Sequence, residues 1–499
     1  MKYLSHLING EPFSENQSTL PVTNPATAMQ TAEVECASKL IVEEVILAAT
    51  MAFKRWKQTS ISQRAKILFR FKTLLEQHAN EVCNLLTEEH GKVLDDARGE
   101  LNRGIENIEY ACGIAQLLKG EHSPNISSQH DSWSELQPLG VVLGVTPFNF
   151  PAMVPLWMWP MAVMCGNTFI LKPSEQAPSA PYFICKLAQM AGFPPGVLNV
   201  INGNAETVEA LLQDKRIKAL SFVGSTPVAK ELYRRATMAD MRCQALGGAK
   251  NHAVVMPDAD IDLVAQSLMG AAFGSCGERC MAISVAVVVG DDIAKSLTAK
   301  LAPLIENLKI GSGFDEENNM GPLISAGHKA KVLGLIEKGV EQGATLVVDG
   351  RQFHLSGSST EFEQGYFLGG SLFDHVTPEM DIYQQEIFGP VLCLVRVSSL
   401  ADAIKLINNH RYGNGTCIFT QNGYAAREFS QAIEVGMVGI NVPLPVPMAS
   451  HSFGGWKQSI FGDLSAYGPD AVRFYTQRKT ITARWLANLE QQAQFSFPS

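Results

Sequence analysis

LQPLGVVLGVTPFNFPAMVPLWMWPMAVMCGNTFIL, residues 136–171, contains no Asp, Glu, Lys, Arg or His. A run of that length is enough to span a bilayer. Pro147, Pro151, Pro155 and Pro160, with Gly140, Gly144 and Gly166, interrupt it too often for one membrane helix. It reads instead as a buried strand, a turn, a helix and a second strand. Further along, VLNVI (197–201) and IKALSFVG (217–224) follow the runs VVLGV (141–145) and NTFILK (167–172), with helical patterns between them. Such alternation implies crossovers between parallel strands, hence a doubly wound α/β sheet. A second cycle begins with HAVVM (252–256), a helix through Phe273 and ISVAVVVG (283–290). A helix ending near Leu308 follows, then KVLGLIEKGVEQG leading into ATLVVDG. Two α/β domains are expected.

Upstream, residues 43–119 carry apolar side chains at three- and four-residue spacing with charges between them. They read as three long amphipathic helices. Downstream, VRFYTQRKTITARW (472–485) alternates like a strand with no following element to pair with. Together with the polar stretch 123–137 it is expected to form a small projecting sheet for a second subunit; the alternative is an edge strand on its own domain.

At 499 residues the chain is too long for one core. Its net charge of -9 and the lack of Lys/Arg runs argue against nucleic-acid binding. Ten cysteines without CxxC pairs or His partners at ligand spacing indicate neither a disulfide framework nor a metal site. The N-terminal MKYLSHLINGEPF lacks a long apolar h-region. A reducing, cytoplasmic location is expected.

FGSCGERC (273–280) presents Cys280 as a candidate nucleophile beside Arg279, whose cation would favour thiolate. Gly274 and Gly277 allow a tight backbone that brings a main-chain N–H near the reacting carbon. In isolation, a Cys is more often core filler. The carboxyl ends of the first-domain strands hold PFNFP (147–151), KPSE (172–175) and FVGST (222–226), where ligands of doubly wound sheets sit. Asn149, flanked by prolines, is either an oxyanion donor or a turn Asn bonding its own backbone. Lys172 and Glu175 could grip ribose hydroxyls or lie on a solvated loop. A carboxylate there would repel a 2′-phosphate and favour NAD over NADP. Gly224 and Ser225 precede a helix start suited to phosphate. EIFGP (386–390) places Glu386 and Phe388 beside a Gly-Pro turn. No GxGxxG accompanies these segments.

In this order and at these intervals the five motifs resemble the aldehyde dehydrogenase superfamily, from about Ile8 to Trp485. The resemblance implies a Rossmann-type NAD domain (1–122 and 138–247) and an α/β catalytic domain (248–446). It also implies an oligomerisation arm (123–137 and 470–499) and a return segment (447–469), in a homo-oligomer. It assigns Cys280 as nucleophile, with Asn149 and the Cys280 N–H as oxyanion donors. Phe148, Lys172, Glu175, Gly224, Ser225, Glu386 and Phe388 would bind the cofactor, and no metal is required.

One departure stands out. Most members carry a Glu in an ELGGK segment that activates water for deacylation; this chain reads QALGGAKNH (244–252), with Ala245 in its place and an extra residue before Lys250. A thioester lacking that base reacts poorly with water, whereas a thiol acceptor such as coenzyme A does not need it. RGIENIEYA (103–111), AKNHAVVMPDA (249–259) and NVPLPVP (441–447) match the CoA-acylating, semialdehyde-oxidising branch of the family. In that branch Arg103 and Arg279 would hold a substrate carboxylate as bidentate partners. Arg103 could equally be a helix charge pairing with Glu100 or Glu106. The function implied is NAD-dependent oxidation of methylmalonate or malonate semialdehyde, decarboxylation and transfer to CoA, as in valine or inositol breakdown. The alternatives are a hydrolytic enzyme that recruits another base and a catalytically silent relative. Ala229, where many relatives have Gly, and MASHSFGGWKQSIFGD (448–463) also depart from the branch pattern, which loosens the substrate assignment more than the reaction type.

Overall fold

The four apolar runs of residues 141–224 form adjacent parallel strands: Val141–Val145, Thr168–Lys172, Leu198–Val200 and Ile217–Val223. In this computed structural model, which describes residues 2–16, 18–355 and 360–485, they are the centre of an eight-stranded sheet. The chain places Thr168–Lys172 and Leu198–Val200 on one side of Val141–Val145, then returns to place Ile217–Val223 and Arg242–Leu246 on the other. That reversal opens a crevice at the carboxyl ends of Val141–Val145 and Ile217–Val223. PFNFP and GST follow those two strands directly. His6–Ile8 and Glu11–Phe13 close one edge, and Ile460–Phe461 pairs with Arg242–Leu246 at the other.

The uncharged stretch is explained by the helix Met153–Met164, which is buried on every face. Its C-terminal carbonyls have no intrahelical donors. Buried Arg64 donates to Met164 O at 3.0 Å, and Trp56 Nε1 to Val163 O at 2.9 Å. Among the described residues no helix is long and apolar enough to cross a membrane.

The second sheet has seven strands, ordered Thr345–Val348, Ser371–Asp374, Val391–Val397, Ile283–Val289, Asn251–Val255, Gly415–Phe419, Met437–Ile440. All its pairings are parallel except that of Thr345–Val348, an antiparallel edge. Only Gly247 to Lys250 separate Arg242–Leu246 of the first sheet from Asn251–Val255 of the second.

Three helices expected over residues 43–119 are four: Lys39–Trp56, Ile61–Gln77, Ala79–His90 and Leu94–Gly113. The break falls at His78, which leaves helical geometry (φ -100°, ψ 18°) although buried Leu68, Phe71, Leu75, Val82 and Leu86 keep one spacing across it. The strand Thr476–Arg484 does find a partner: it pairs antiparallel with His130–Pro138, which pairs with His122–Ser127. The outer strands of this sheet are largely exposed. Of the segment assigned to the arm, residues 486–499 lie outside the described residues.

Candidate active site

The helix Ile261–Phe273 ends at Gly274, and the chain then turns through two left-handed residues, Ser275 (φ 48°) and Cys276 (φ 54°). Each such non-glycine residue costs about 1–3 kcal/mol and persists only where its surroundings hold it. Here the holder is Asp96, whose Oδ2 accepts from Ser275 N at 2.9 Å and Ser275 Oγ at 3.0 Å. Gly277 is left-handed as well (φ 72°), and a Cβ there would collide with the carbonyl of Gly389. The loop leading to Cys280 can therefore lie flat against the turn carrying Phe388.

Cys280 follows. Of the ten cysteines eight are buried, and Cys36 and Cys280 are partly exposed. Cys280 lines a cavity of about 260 Å³ together with Arg103, Arg279, Asp95, Asp96 and an apolar wall including Phe150, Trp157 and Phe453. On its other side it shares a void of about 20 Å³ with Ala249, Asn251, Glu386 and Phe388. That is room for one water molecule.

The expected activation of the thiol by Arg279 is not what dominates. Burial, then the nearby charge of Glu386, push the Cys280 thiol up to about 12. The N–H groups of Cys280 and Met281 and the Arg279 guanidinium pull it down without offsetting this. Arg279 Nη2 is itself ion-paired to Asp96 Oδ1 at 2.6 Å.

Asn149 is brought to the nucleophile loop, its Nδ2 donating to Glu278 O at 3.0 Å. It does not bond its own turn. What fixes it was invisible in the motif: buried Lys92 donates to Asn149 O at 2.7 Å and to Glu100 Oε2 at 2.6 Å. Glu100 Oε1 accepts from the N–H groups of Ala152 and Met153 at the start of the buried helix. The Cys280 carbonyl is held in turn by Asn251 Nδ2 at 2.9 Å and Asn414 Nδ2 at 3.0 Å. None of these four residue types, at their spacing, carries a sequence signal beyond an ordinary surface polar residue.

The remaining candidates fall into two groups. Lys172 Nζ and Glu175 Oε2 pair at 2.8 Å at the end of their strand. Ser225 is the N-cap residue of Thr226–Met238, following Gly224, with Pro227 in the first turn. Glu386 Oε1 accepts from Ala249 N at 2.8 Å, and burial raises its carboxyl above the usual range. Phe388 is left-handed (φ 59°), and its carbonyl meets His328 Nε2 at 2.6 Å. Phe148 packs edge-on against Phe388, ring centroids 6.0 Å apart. Across the cavity, Arg103 pairs with Glu106 at 2.7 Å, and its Nη2 donates to Val446 O at 2.9 Å and Pro447 O at 3.3 Å. The helix-charge reading of Arg103 thus describes a real contact, yet the side chain also faces the Cys280 cavity.

Ala245 does not sit where a base could reach the sulfur. It is fully buried in the apolar cluster with Val145, Leu220 and Ala229. From residues 244–252 only Ala249 and Asn251 line a cavity with Cys280. No carboxylate of this segment is available. The one carboxylate in the small void is Glu386, from another segment.

Cys280, the rigid Asn149 amide and a strand-end crevice lie together on two linked α/β sheets, and the chain belongs to the aldehyde dehydrogenase family, which it matches over residues 13–481. It is 59% identical over its whole length to the whole of a malonate-semialdehyde dehydrogenase of Pseudomonas aeruginosa. It is 48% identical over 93% of its length to 94% of malonate-semialdehyde dehydrogenase 2 of Bacillus thuringiensis subsp. konkukian. Among solved structures, methylmalonate-semialdehyde dehydrogenase of Oceanimonas doudoroffii superposes with a TM-score of 0.96 at 59% identity, covering 98% of this chain and 99% of that one. A Sinorhizobium meliloti 1021 protein complexed with NAD superposes equally well, TM-score 0.96, at 47% identity and the same coverage.

Proposed function

We propose that this protein oxidises malonate or methylmalonate semialdehyde with NAD through a thioester at Cys280, and passes the decarboxylated acyl group to coenzyme A. The carrying observation is what surrounds Cys280: Arg103 and Arg279 line its larger cavity, while the segment that would supply a water-activating base contributes only Ala249 and Asn251, to the small void. The names of the relatives support the substrate class, and the NAD-bound neighbour supports the cofactor.

The cofactor residues fit that role. Lys172 and Glu175 present a donor and an acceptor to a ribose diol, and Ser225 offers a helix start to the pyrophosphate. Glu386 and Phe388 face the void beside Cys280. NAD, when bound, supplies positive charge near the thiol and accepts the hydride.

The Cys280 sulfur adds to the aldehyde carbon as the thiol gives up its proton to solvent in the cavity. The oxyanion sits between Asn149 Nδ2 and the Cys280 N–H; one such donor is worth ~3 kcal/mol. Loss of hydride leaves a thioester whose β-carboxylate is held by Arg279 and Arg103. That carboxylate departs as carbon dioxide, its electron pair moves into the thioester enolate, and a proton restores the α-carbon. The thiol of coenzyme A then displaces Cys280, giving propionyl-CoA or acetyl-CoA and the free enzyme thiol. The projecting sheet 122–138/476–484, with its exposed outer strands, fits pairing between subunits in a homo-oligomer.

Glu386 gives a second reading its one specific support. A carboxyl raised by burial and sharing a water-sized void with Cys280 could serve as base for hydrolysis once the cofactor has left. Turnover with NAD and malonate semialdehyde, with and without CoA and with products identified by mass spectrometry, decides between them. Acyl-CoA formation with little turnover lacking CoA supports transfer. Full-rate turnover to a free acid without CoA refutes it.

A further inference from the structure

Arg279 does not project freely into the cavity; it lies in a shaped recess. Its Nη2 donates to Asp96 Oδ1 at 2.6 Å and its Nη1 to Gly270 O at 3.3 Å. Beneath it is Gly274, where a Cβ would stand 2.5 Å from Cζ, Nη1 and Nη2 at once. Gly274 itself has φ -53° and ψ 137°, backbone open to any residue. The turn does not require glycine there. The guanidinium does.

Asp96 joins the two halves of this recess, because its second oxygen holds the Ser275 N–H and hydroxyl of the nucleophile loop. One carboxylate therefore sets both the plane of the guanidinium and the start of the turn that ends at Cys280. A guanidinium has five N–H donors. Two are taken here, which leaves three for other partners, and Arg279 lines the cavity that also holds Cys280. Arg103, by contrast, spends donors on Glu106, Val446 and Pro447.

We propose that Gly274 and Asp96 form the seat that aims Arg279, and that these two positioning residues determine the preference for aldehydes bearing a carboxylate. The inference rests on the reading above in which Arg279 takes up the substrate carboxylate. Fork-to-carboxylate recognition depends on plane and direction, unlike a point charge. A side chain at position 274 must push the guanidinium off its plane, and misplacement by about 1 Å can cost roughly hundredfold in rate.

The test uses the full-length enzyme with NAD and CoA, comparing kcat/KM for malonate semialdehyde and for propanal in Arg279→Leu, Gly274→Ala and Asp96→Asn. Gly274→Ala removes no charge and strains no backbone. It should lower the semialdehyde-to-propanal ratio by roughly tenfold to hundredfold, the loss falling mainly in KM for the semialdehyde. Asp96→Asn should lower the same ratio. Equal losses for both aldehydes, or an unchanged ratio, in Gly274→Ala overturn the seat, and an unchanged or increased ratio in Asp96→Asn removes Asp96 from it. If Arg279→Leu itself leaves the ratio unaltered, the carboxylate reading fails, and does so separately from the seat.

Discussion

Replacing Lys92 by Met should damage both stability and acylation, and the two losses should separate. Lys92 is buried, with its ammonium 2.6 Å from Glu100, 2.7 Å from the Asn149 carbonyl and 4.4 Å from the Phe150 ring centroid. Removing it leaves Glu100 as a buried carboxylate supported only by the Ala152 and Met153 N–H groups. Breaking a buried pair by deleting one partner costs about 3–5 kcal/mol. Asn149 also loses the donor that pins its peptide, so its amide is no longer fixed against the Glu278 carbonyl. Complete loss of an oxyanion donor, ~3 kcal/mol, sets the ceiling on the rate effect at roughly hundredfold. Denaturant unfolding and the stopped-flow burst of NADH with malonate semialdehyde measure the two effects. The double change Lys92→Met/Glu100→Gln removes the stranded charge and should recover most of the stability, while the burst stays slow. A Lys92→Met burst at the wild-type rate would refute the positioning argument, whatever the stability shows.

Three further outcomes follow from the same geometry. Ala245→Glu should not create a hydrolase: it forces a carboxylate into an apolar cluster at a cost of several kcal/mol, so lowered unfolding stability without CoA-independent turnover is expected. Glu175→Gln removes the charge that would repel a 2′-phosphate, so the NADP-to-NAD ratio of kcat/KM should rise about tenfold, equivalent to roughly 1.4 kcal/mol; an unmoved ratio dissociates Glu175 from the ribose. Burial, then Lys250, lower His410 from 6.5 to about 4, and its Nδ1 accepts from Tyr412 N at 3.2 Å. Between those values the unfolded chain binds a proton that the folded chain refuses, so stability falls as pH drops, by about 2 kcal/mol from pH 7 to pH 5 for this group alone. His410→Asn, which can still accept from Tyr412, should flatten that part of the stability curve.

What could be read from sequence was set by how far each interaction reaches along the chain. The central strands of the first sheet were legible because Pro and Gly punctuate their apolar runs, and the crossover rule then fixes them as parallel. The helix break at His78 was not, because periodicity reports which face is buried, and Leu68, Phe71, Leu75, Val82 and Leu86 keep one face across the bend. The polar stretch 123–137 was expected to join the terminal strand in a projecting sheet, but its division into two strands was not legible, because His122–Ser127 is exposed along nearly its whole length and shows no apolar alternation. At the site, Cys280 and Asn149 stood out because their side chains are of types suited to the chemistry the motifs suggest. Lys92, Asn251 and Asn414 act instead on backbone carbonyls of residues far from them in sequence, Asn149 and Cys280, and a backbone acceptor has no residue code. Ala245 shows the converse. A motif gap drew attention to Ala245, but the fold buries that position in the apolar cluster, and it is Ala249 and Asn251 of the same segment that reach the void beside Cys280. Under the proposed transfer reading, hydrolysis would need a carboxylate that activates water beside Cys280, and in the small void Glu386 is the one already present.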